Sequence, residues 1–325
     1  REIAAVAIEL KEIINAANTI FVNPTDAYVY SATLSKKSAE KAGKGLLGRD
    51  MNTRNVIEAL PFNVGVELNE TLYANTRSIV FTSATISINN SFEAFEQAMG
   101  LNSGDGSRTT ELMLKSSYDF DKNMTVYVVK DMPEPTDPKY LDALKELLVD
   151  AHIAQHGSML TLFTNKKEME NCYADVNSAL KQEDLRLVCQ RWGVSVKGLR
   201  DEFLADETVS LFALKSFWEG FDAPGSTLRG VVIPKLPFTK PTDPLSCERS
   251  KRDDYAWRNY VLPQAVIDVK QAAGRLIRRA DDTGSFILAD SRVVSKGYGK
   301  VFLRSLPSQN IRIVTRDELI ESLCE

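Results

Sequence analysis

The sequence has few of the residues that build disulfide or metal frameworks. Its 325 residues include four cysteines and two histidines, and no CxxC pair occurs. Cysteines paired at short spacing are the usual signature of a disulfide scaffold or a cysteine-ligated cluster. The wide spacing here predicts neither, and we expect reduced cysteines. They are Cys172, Cys189, Cys247 and Cys324.

The two histidines do not complete a metal motif either. His152 and His156 have the i, i+4 spacing of a zinc-binding helix, but Ile153 stands where the H-E-x-x-H motif has its glutamate. We therefore expect no metal site in this chain. No G-x-S-x-G or Cys/His arrangement indicates a catalytic nucleophile.

Apolar runs of membrane-spanning length are also missing. Runs such as Val231–Ile233 fall far short of the roughly 18 residues that cross a bilayer. The sequence has no signal-like start, so we expect a cytoplasmic protein with no membrane partner. The first residue is Arg1, already inside a helical pattern, and we expect the chain to be a piece of a longer protein.

Positive charge is not in excess, since the net charge is −4. This balance argues against a protein that coats nucleic acid, and any phosphate contact must come from local groups of Lys and Arg. One such group lies within residues 36–54, where a solvated loop is the expected structure. A second group lies within residues 270–292. Its members are Lys270, Arg275, Arg278, Arg279 and Arg292.

The first third of the chain shows several separate elements. Residues 1–22 carry apolar side chains three and four apart, which predicts a helix that packs by one face. A helix around 65–75 and a buried strand at Ser78–Phe81 are predicted next. The proline-rich segment 130–140 is predicted to connect two domains.

The remaining two thirds alternate between strand and helix patterns. The strands are too apolar to have a solvent face, which favours a parallel sheet covered by helices on both faces. Ligands of such an α/β domain bind beyond the carboxyl ends of the strands. The predicted strands are 158–163, 185–189, 208–213, 229–233 and 284–289. The predicted helices are 139–155, 166–181, 195–204 and 263–279.

One face of the predicted helix 263–279 carries an amide and two guanidiniums. At 100° per residue, Gln271, Arg275 and Arg278 lie within about 60° of one another. Gly274 lowers helix propensity by about 1 kcal/mol relative to Ala, which indicates close approach of a backbone or a ligand. Fork-shaped guanidinium donors suit a phosphate chain. A solvated basic face is the alternative interpretation.

Polar and aromatic residues follow several predicted strands at the edge where ligands are expected. Glu219 and Asp222 flank the turn at Gly220, and other strands end in hydroxyl, amide or aromatic side chains. Helix capping and core packing are the alternatives for these residues. The other residues are Thr82, Ser83, Thr85, Thr164, Asn165, Gln190, Trp218 and Phe238.

Six segments, in this order, resemble motifs III to VI and the connecting signatures of the DinG/XPD-type superfamily 2 DNA helicases. The resemblance covers roughly residues 25–307. The segments are "VFTSATIS", "LTLFTNKKEM", "SFWEGFDAPGS", "KLPF", "LPQAVIDVKQAAGRLIRRADDTG" and "ADSRVVSKGYGKVF".

The resemblance implies a RecA-like fold, of the P-loop NTPase type, in which two motor domains clamp ATP between them. This sequence departs from the full pattern, because it has no G-x-x-x-x-G-K-[ST] loop, no DEAH-type box and no cluster of four cysteines. It therefore resembles a C-terminal half. The implied domains are the end of an arch insertion (1–55), part of the first motor domain (56–120) and the second motor domain (121–325).

Roles follow from the resemblance, position by position. Gln271, Arg275 and Arg278 would face ATP and stabilise the transferring phosphate, while Lys270 and Arg279 would lie on the surface beside them. Arg292 would pair with Asp290 or Asp222, or touch a ligand. The residues implied to couple nucleotide and DNA are Glu219, Gly220, Asp222, Gly274, Thr82, Ser83 and Thr85. Those implied to bind DNA are Thr164, Asn165, Gln190 and Phe238, with Trp218 and Trp257 as further faces for base stacking.

The implied function is that of an ATP-dependent helicase, acting in DNA repair or replication, which uses ATP and Mg²⁺ and binds single-stranded or forked DNA. The rest of the first motor domain, in the same polypeptide, would be the partner of this chain, and an iron–sulfur cluster would belong to the parent protein only. Alone, the chain is predicted to be inactive. A non-catalytic module that binds single-stranded nucleic acid is the alternative, and an RNA substrate also remains open.

Overall fold

The structure is a computed structural model, and it describes residues 2–33, 56–102, 109–191, 194–214, 217, 223 and 225–324. Its strands form one antiparallel pair and one sheet of seven. The strands are β1 (Tyr28–Thr33), β2 (Val56–Pro61), β3 (Met124–Val129), β4 (Met159–Leu162), β5 (Arg186–Cys189), β6 (Val209–Ala213), β7 (Gly230–Ile233), β8 (Gly284–Leu288) and β9 (Ile311–Val314).

Helices connect these strands. They are α1 (Glu2–Ala17), α2 (Val64–Thr71), α3 (Glu93–Met99), α4 (Phe120–Asn123), α5 (Tyr140–Ala154), α6 (Lys166–Gln182), α7 (Val196–Ala205), α8 (Pro244–Arg252), α9 (Leu262–Ala273), α10 (Arg292–Ser295), α11 (Gly299–Ser305) and α12 (Arg316–Cys324). Within the described residues, no helix has both the length and the apolar character needed to cross a membrane.

The seven-stranded sheet is parallel throughout, in the order β5-β6-β4-β7-β8-β3-β9. The predicted parallel sheet is therefore confirmed, and each of its five predicted strands is found within one residue of its expected bounds. Strands β3 and β9 were not predicted. Strand β3 is apolar except for Thr125, whereas β9 is a four-residue edge strand with half of its residues exposed.

Side chains of the central strands alternate between two hydrophobic clusters, one on each face of the sheet. Val126 and Val128 of β3 enter the first cluster, while Tyr127 and Val129 enter the second. This is the two-residue period of a strand whose faces are both covered. Helices α7, α9 and α11 cover the first face, and α5, α6 and α12 cover the second. The predicted helices on both faces are thus present.

Three predictions about local structure are wrong. Segment 130–140 is not an interdomain connection, because it joins β3 to α5 within one sheet domain. Ser78–Phe81 is not a buried strand: Val80 is 88% exposed, and no strand of the described chain pairs with the segment. Helix α9 ends at Ala273 rather than at residue 279.

The described chain divides into two compact units. Unit 1 contains 1–82, 93–110 and 239–261, and unit 2 contains 83–92, 111–238 and 262–325. The sheet of seven lies in unit 2. Segment 239–261 was predicted to belong to the second motor domain but clusters with unit 1, because α8 packs against β1.

Unit 1 has its own contacts. Strands β1 and β2 pair in antiparallel register from Tyr28↔Pro61 to Thr33↔Val56, so they join sequence on both sides of the predicted boundary at residue 55. Helices α2 and α3 meet at two glycines. A Cβ added to Gly65 would lie 2.4 Å from the backbone nitrogen of Gly100, so only glycine allows this approach.

Helix α1 forms as predicted, but its apolar face does not pack as predicted. Val6, Leu10 and Ile13 are each more than half exposed. The residue pattern dictates an amphipathic helix, and no element of the described chain covers its apolar face. The cationic segment within residues 36–54 lies outside the described residues.

His152 lies in the core of unit 2 rather than at a metal site. Its Nδ1 and Nε2 lie 2.8 Å and 3.1 Å from the hydroxyl oxygens of Ser210 and Thr161, and the ring is fully buried. Desolvation by burial lowers its pKa to about 3. His156 lies beyond the end of α5 with a φ of 52°, so the two histidines do not share a helix face.

The buried histidine should make stability depend on pH. As pH falls through about 6.5 the unfolded chain binds a proton at this residue, and the folded chain does not until about pH 3. The unfolding free energy should therefore drop by about 2 kcal/mol between pH 7 and pH 5. Urea unfolding of unit 2 at both pH values measures this drop.

His152→Gln should remove most of that pH dependence, because glutamine does not titrate. His156→Gln, at an exposed position, is the matched control and should keep it. An equal pH dependence in the two variants would show that the buried ring is not its source.

Candidate functional site

Helix α9 ends in a turn that carries the predicted arginines. Gly274 and Arg275 close the helix with backbone bonds of 3.0 Å and 3.1 Å to the carbonyls of Lys270 and Ala272. Residues 274–279 then run as an irregular loop, here called the arginine loop, to β8. Gln271 lies on the helix, and Arg275 and Arg278 lie on this loop. All three side chains are half-buried.

Asp282 fixes the course of the arginine loop. Its Oδ2 accepts hydrogen bonds from the backbone N–H groups of Arg278 (2.8 Å) and Arg279 (2.7 Å), and its Oδ1 accepts one from Gly225 (3.1 Å). These are charge-assisted bonds at a carboxylate that is only 6% exposed. The i−3 bonds of Arg275 and Leu276 end the α-helix, and the amides of Arg278 and Arg279 then bind this carboxylate instead of helix carbonyls.

A second set of contacts holds the same loop from the other side. The hydroxyl of Tyr118 donates to the carbonyl of Arg278 at 2.8 Å, and Nδ2 of Asn123 donates to the carbonyl of Ala280 at 2.7 Å. The arginine loop is therefore bonded through both its amides and its carbonyls. Neither Asp282 nor Tyr118 was identified from the sequence. The only sequence signal for this role is in the run "RRADDTG", where an aspartate follows the two arginines closely enough to accept hydrogen bonds from their backbone amides.

Thr85, one of the three predicted hydroxyl residues, contacts α9 within unit 2. Nε2 of Gln271 lies 3.5 Å from Oγ1 of Thr85, which in turn lies 3.3 Å from Oγ of Ser83. The other amide atom, Oε1 of Gln271, is buried with no hydrogen-bond partner among the described residues. Thr82 is exposed and belongs to unit 1. The structure thus brings together Gln271, Thr85 and Ser83.

Lys270 differs from its predicted surface position. Its Nζ lies 2.9 Å from the carbonyl oxygen and 3.1 Å from the hydroxyl of Ser87, and burial lowers its pKa. Arg279 is exposed, as predicted. The described structure does not require glycine at position 274. A Cβ added there would lie 3.5 Å from two backbone oxygens, which is an ordinary contact distance.

The residues predicted to bind DNA have partners in the protein. Oδ1 of Asn165 caps α6 by accepting from the N–H of Lys167 at 2.9 Å, and Oε1 of Gln190 accepts from the N–H of Leu214 at 2.8 Å. Thr164 is half-buried beside the cap. These contacts fit the capping interpretation, and DNA binding by these residues stays a prediction.

Phe238 lies in an aromatic cluster over a buried ion pair. Its ring packs edge-on against Tyr298 and Phe302, at centroid distances of 5.5 Å and 5.9 Å. The guanidinium of Arg292 stacks 5.5 Å above the ring and donates two hydrogen bonds to the fully buried Asp290. Arg292 was expected to pair with Asp290 or Asp222, or to touch a ligand, and in the structure it pairs with Asp290.

Several predicted residues lie outside the described part of the chain. They are Trp218, Glu219, Gly220 and Asp222. The next described glycine of that run, Gly225, has a φ of +80°, which favours glycine. Its bond to Asp282 links the end of this run to the arginine loop.

Comparisons with known proteins find similar helicase sequences and structures. Residues 148–309 match the helicase C-terminal domain family. The ATP-dependent DNA helicase YoaA of Escherichia coli is 33% identical over 76% of this chain and 38% of its own length. The 3'-5' exonuclease DinG of Bacillus subtilis is 30% identical over 81% of this chain and 29% of its own length.

Residues 148–309 are thus similar to a helicase C-terminal domain, and the chain as a whole is similar to these YoaA and DinG proteins. An XPD structure in its apo form matches with a TM-score of 0.60 at 19% identity, over 81% of this chain and 53% of that chain. An XPD helicase structure matches with a TM-score of 0.57 at 18% identity, over 81% and 47%. The predicted RecA-like fold is confirmed by these likenesses. The chain spans less than two fifths of the two curated relatives described above.

Asp282 offers a direct test of how the arginine loop is held. Asp282→Ala leaves three backbone amides without an acceptor, so we expect the unfolding free energy of unit 2 to fall by about 3 kcal/mol. Hydrogen exchange at the amides of Arg278 and Arg279 should accelerate in the same variant.

Asp281→Ala is the matched control, because Asp281 is exposed, and we expect a change within about 0.5 kcal/mol. Urea unfolding and amide exchange measure both variants. Unchanged exchange at Arg278 and Arg279 in Asp282→Ala would contradict the role given to this carboxylate.

Proposed function

We propose that this chain is the part of an ATP-dependent DNA helicase that presents the arginine loop to bound ATP, with the phosphate-binding loop supplied by the rest of the polypeptide. The full protein would couple ATP hydrolysis to movement along single-stranded or forked DNA, in repair or replication. The observation that carries this proposal is the arginine loop itself: it carries two half-buried arginines, Arg275 at the end of α9 and Arg278 on backbone bonded to Asp282.

The chemistry of the loop suits a triphosphate. Negative charge spreads over the oxygens of the transferred phosphoryl group during hydrolysis, and guanidinium groups held in place stabilise that charge without reorganising. Arg275 and Arg278 would have this role. Gln271 has a buried amide oxygen without a partner in the described chain, and it would orient a donor such as the attacking water.

Magnesium and iron–sulfur chemistry would come from elsewhere in the polypeptide. The described residues contain no group of three or more His, Cys, Asp or Glu side chains able to hold a metal ion. Mg²⁺ would neutralise charge on ATP when bound, and this chain would add the guanidiniums. Its sequence has no clustered cysteines for an iron–sulfur site.

Strand ends of the parallel sheet would provide the DNA contacts. Thr164, Asn165 and Gln190 follow β4 and β5, whose carboxyl ends lie at one edge because the strands are parallel. Backbone amides and short polar side chains there suit sequence-independent phosphate contacts. Phe238 would contribute an aromatic edge or face for a base. RNA would meet the same groups, so the assay should include both nucleic acids.

Arg275→Ala in the full-length protein tests the nucleotide role. Loss of a charge-stabilising arginine should lower DNA-stimulated ATP hydrolysis by about 10³-fold or more, while ATP binding changes little. Arg279→Ala is the matched control, since Arg279 lies on the same loop but is exposed, and it should keep near-normal turnover.

A non-catalytic module that binds single-stranded nucleic acid is the competing function. If this function is correct, the full-length protein should bind single-stranded nucleic acid in a salt-sensitive way and should not hydrolyse ATP. Full-length hydrolysis that is equal in Arg275→Ala and Arg279→Ala would remove the arginine role, and robust hydrolysis by this chain alone would show that it needs no other domain.

A further inference from the structure

Residues 83–92 form a short clip within unit 2. The chain enters unit 2 at Ser83 and returns to unit 1 at Glu93. Ile88 and Ser91 bond each other through both backbone pairs, at 2.9 Å and 3.0 Å. The two residues between them, Asn89 and Asn90, have φ angles of 50° and 61°. Asparagine tolerates this left-handed region better than most residues, and two such residues make a tight hairpin turn.

The tip of the clip is attached to the body of unit 2. Ile88 packs against the first hydrophobic cluster, and the N–H of Asn89 donates to Oγ of Ser305 at 3.1 Å. The side of the clip that faces α9 carries Thr85, whose hydroxyl lies next to Gln271 of the candidate site. Its contact with Gln271 is long, at 3.5 Å, so this contact alone fixes the position weakly.

Lys270 supplies the stronger attachment. Its ammonium group donates to both oxygens of Ser87, at 2.9 Å and 3.1 Å. Within the described chain no carboxylate forms an ion pair with it, and burial lowers its pKa. A half-buried cation that binds only neutral oxygens costs stability relative to an exposed lysine. That cost indicates a use for this lysine other than stability.

We propose that Lys270 is a positioning residue, which holds the clip at Ser87 so that Thr85 meets Gln271 beside the arginine loop. Lys270 and Gln271 are neighbours on α9, and Ser87 and Thr85 are alternate residues of the clip, so one attachment aligns the other. The positional part rests on the structure alone. The catalytic part rests on the proposed function, in which Gln271 faces ATP.

The positional part is tested on this chain without ATP. Lys270→Met removes the donor and keeps the aliphatic length, so amide exchange at Ile88, Asn89 and Ser91 should rise by about tenfold. Lys300→Met, at an exposed position on α11 of the same unit, should leave it unchanged. Equal exchange in both variants would overturn the proposal, whatever the activity of the full protein.

The catalytic part is tested on the full-length protein with DNA. Lys270→Met should lower kcat for ATP hydrolysis about tenfold with little change in KM, and Lys270→Arg, which keeps the donors, should recover most of it. A raised KM at unchanged kcat would instead make Lys270 a nucleotide contact and overturn the positioning role. No hydrolysis by the unmodified full-length protein would reject the proposed function but leave the exchange result standing.

Discussion

The carboxylate of Asp282 is the contact on which the geometry of the candidate site depends. It lies two residues before β8, so the parallel sheet fixes its position, and it binds backbone amides from the arginine loop and from Gly225. The start of β8 is itself tightly constrained, since a Cβ on Gly284 would lie 2.5 Å from the carbonyl oxygen of Arg229. The sheet, the carboxylate and the loop therefore form one rigid series of contacts.

The central sheet could be predicted from the sequence because its strands are buried on both faces. Continuous apolar runs such as β7 leave no other assignment once helical patterns alternate with them. The end of α9 could not be predicted in the same way. Leu276 and Ile277 are buried in the first cluster, so the apolar pattern continues after the helix has stopped. The apolar periodicity reflects burial, whereas the backbone bonds of Arg275 and of Arg278 show that the chain is no longer an α-helix.

Apolar composition also fails to reveal what covers a surface. The face of α1 and the side chain of Val80 both have the apolar character of packed elements, yet both are exposed in the described chain. The candidate site shows the same limit for polar residues. Asn165 and Gln190 lie where ligand contacts were expected. Their side-chain oxygens instead accept hydrogen bonds from backbone amides at the start of α6 and just after β6. Residue type therefore predicts polar side chains at the carboxyl ends of the strands, but their hydrogen-bond partners are known only from the structure.

Lys270 and the arginine loop place positive charge where burial opposes it. The surrounding structure offsets this cost by holding backbone and side chains through Asp282, Tyr118 and Ser87. A site that stabilises developing negative charge gains most when its cations are already oriented and partly removed from water. A half-buried guanidinium can contact a phosphate and is still partly removed from water. A fully exposed guanidinium would be screened by water and salt, and a fully buried one could not reach a phosphate. The half-burial of Arg275 and Arg278 therefore supports the proposed contact with ATP.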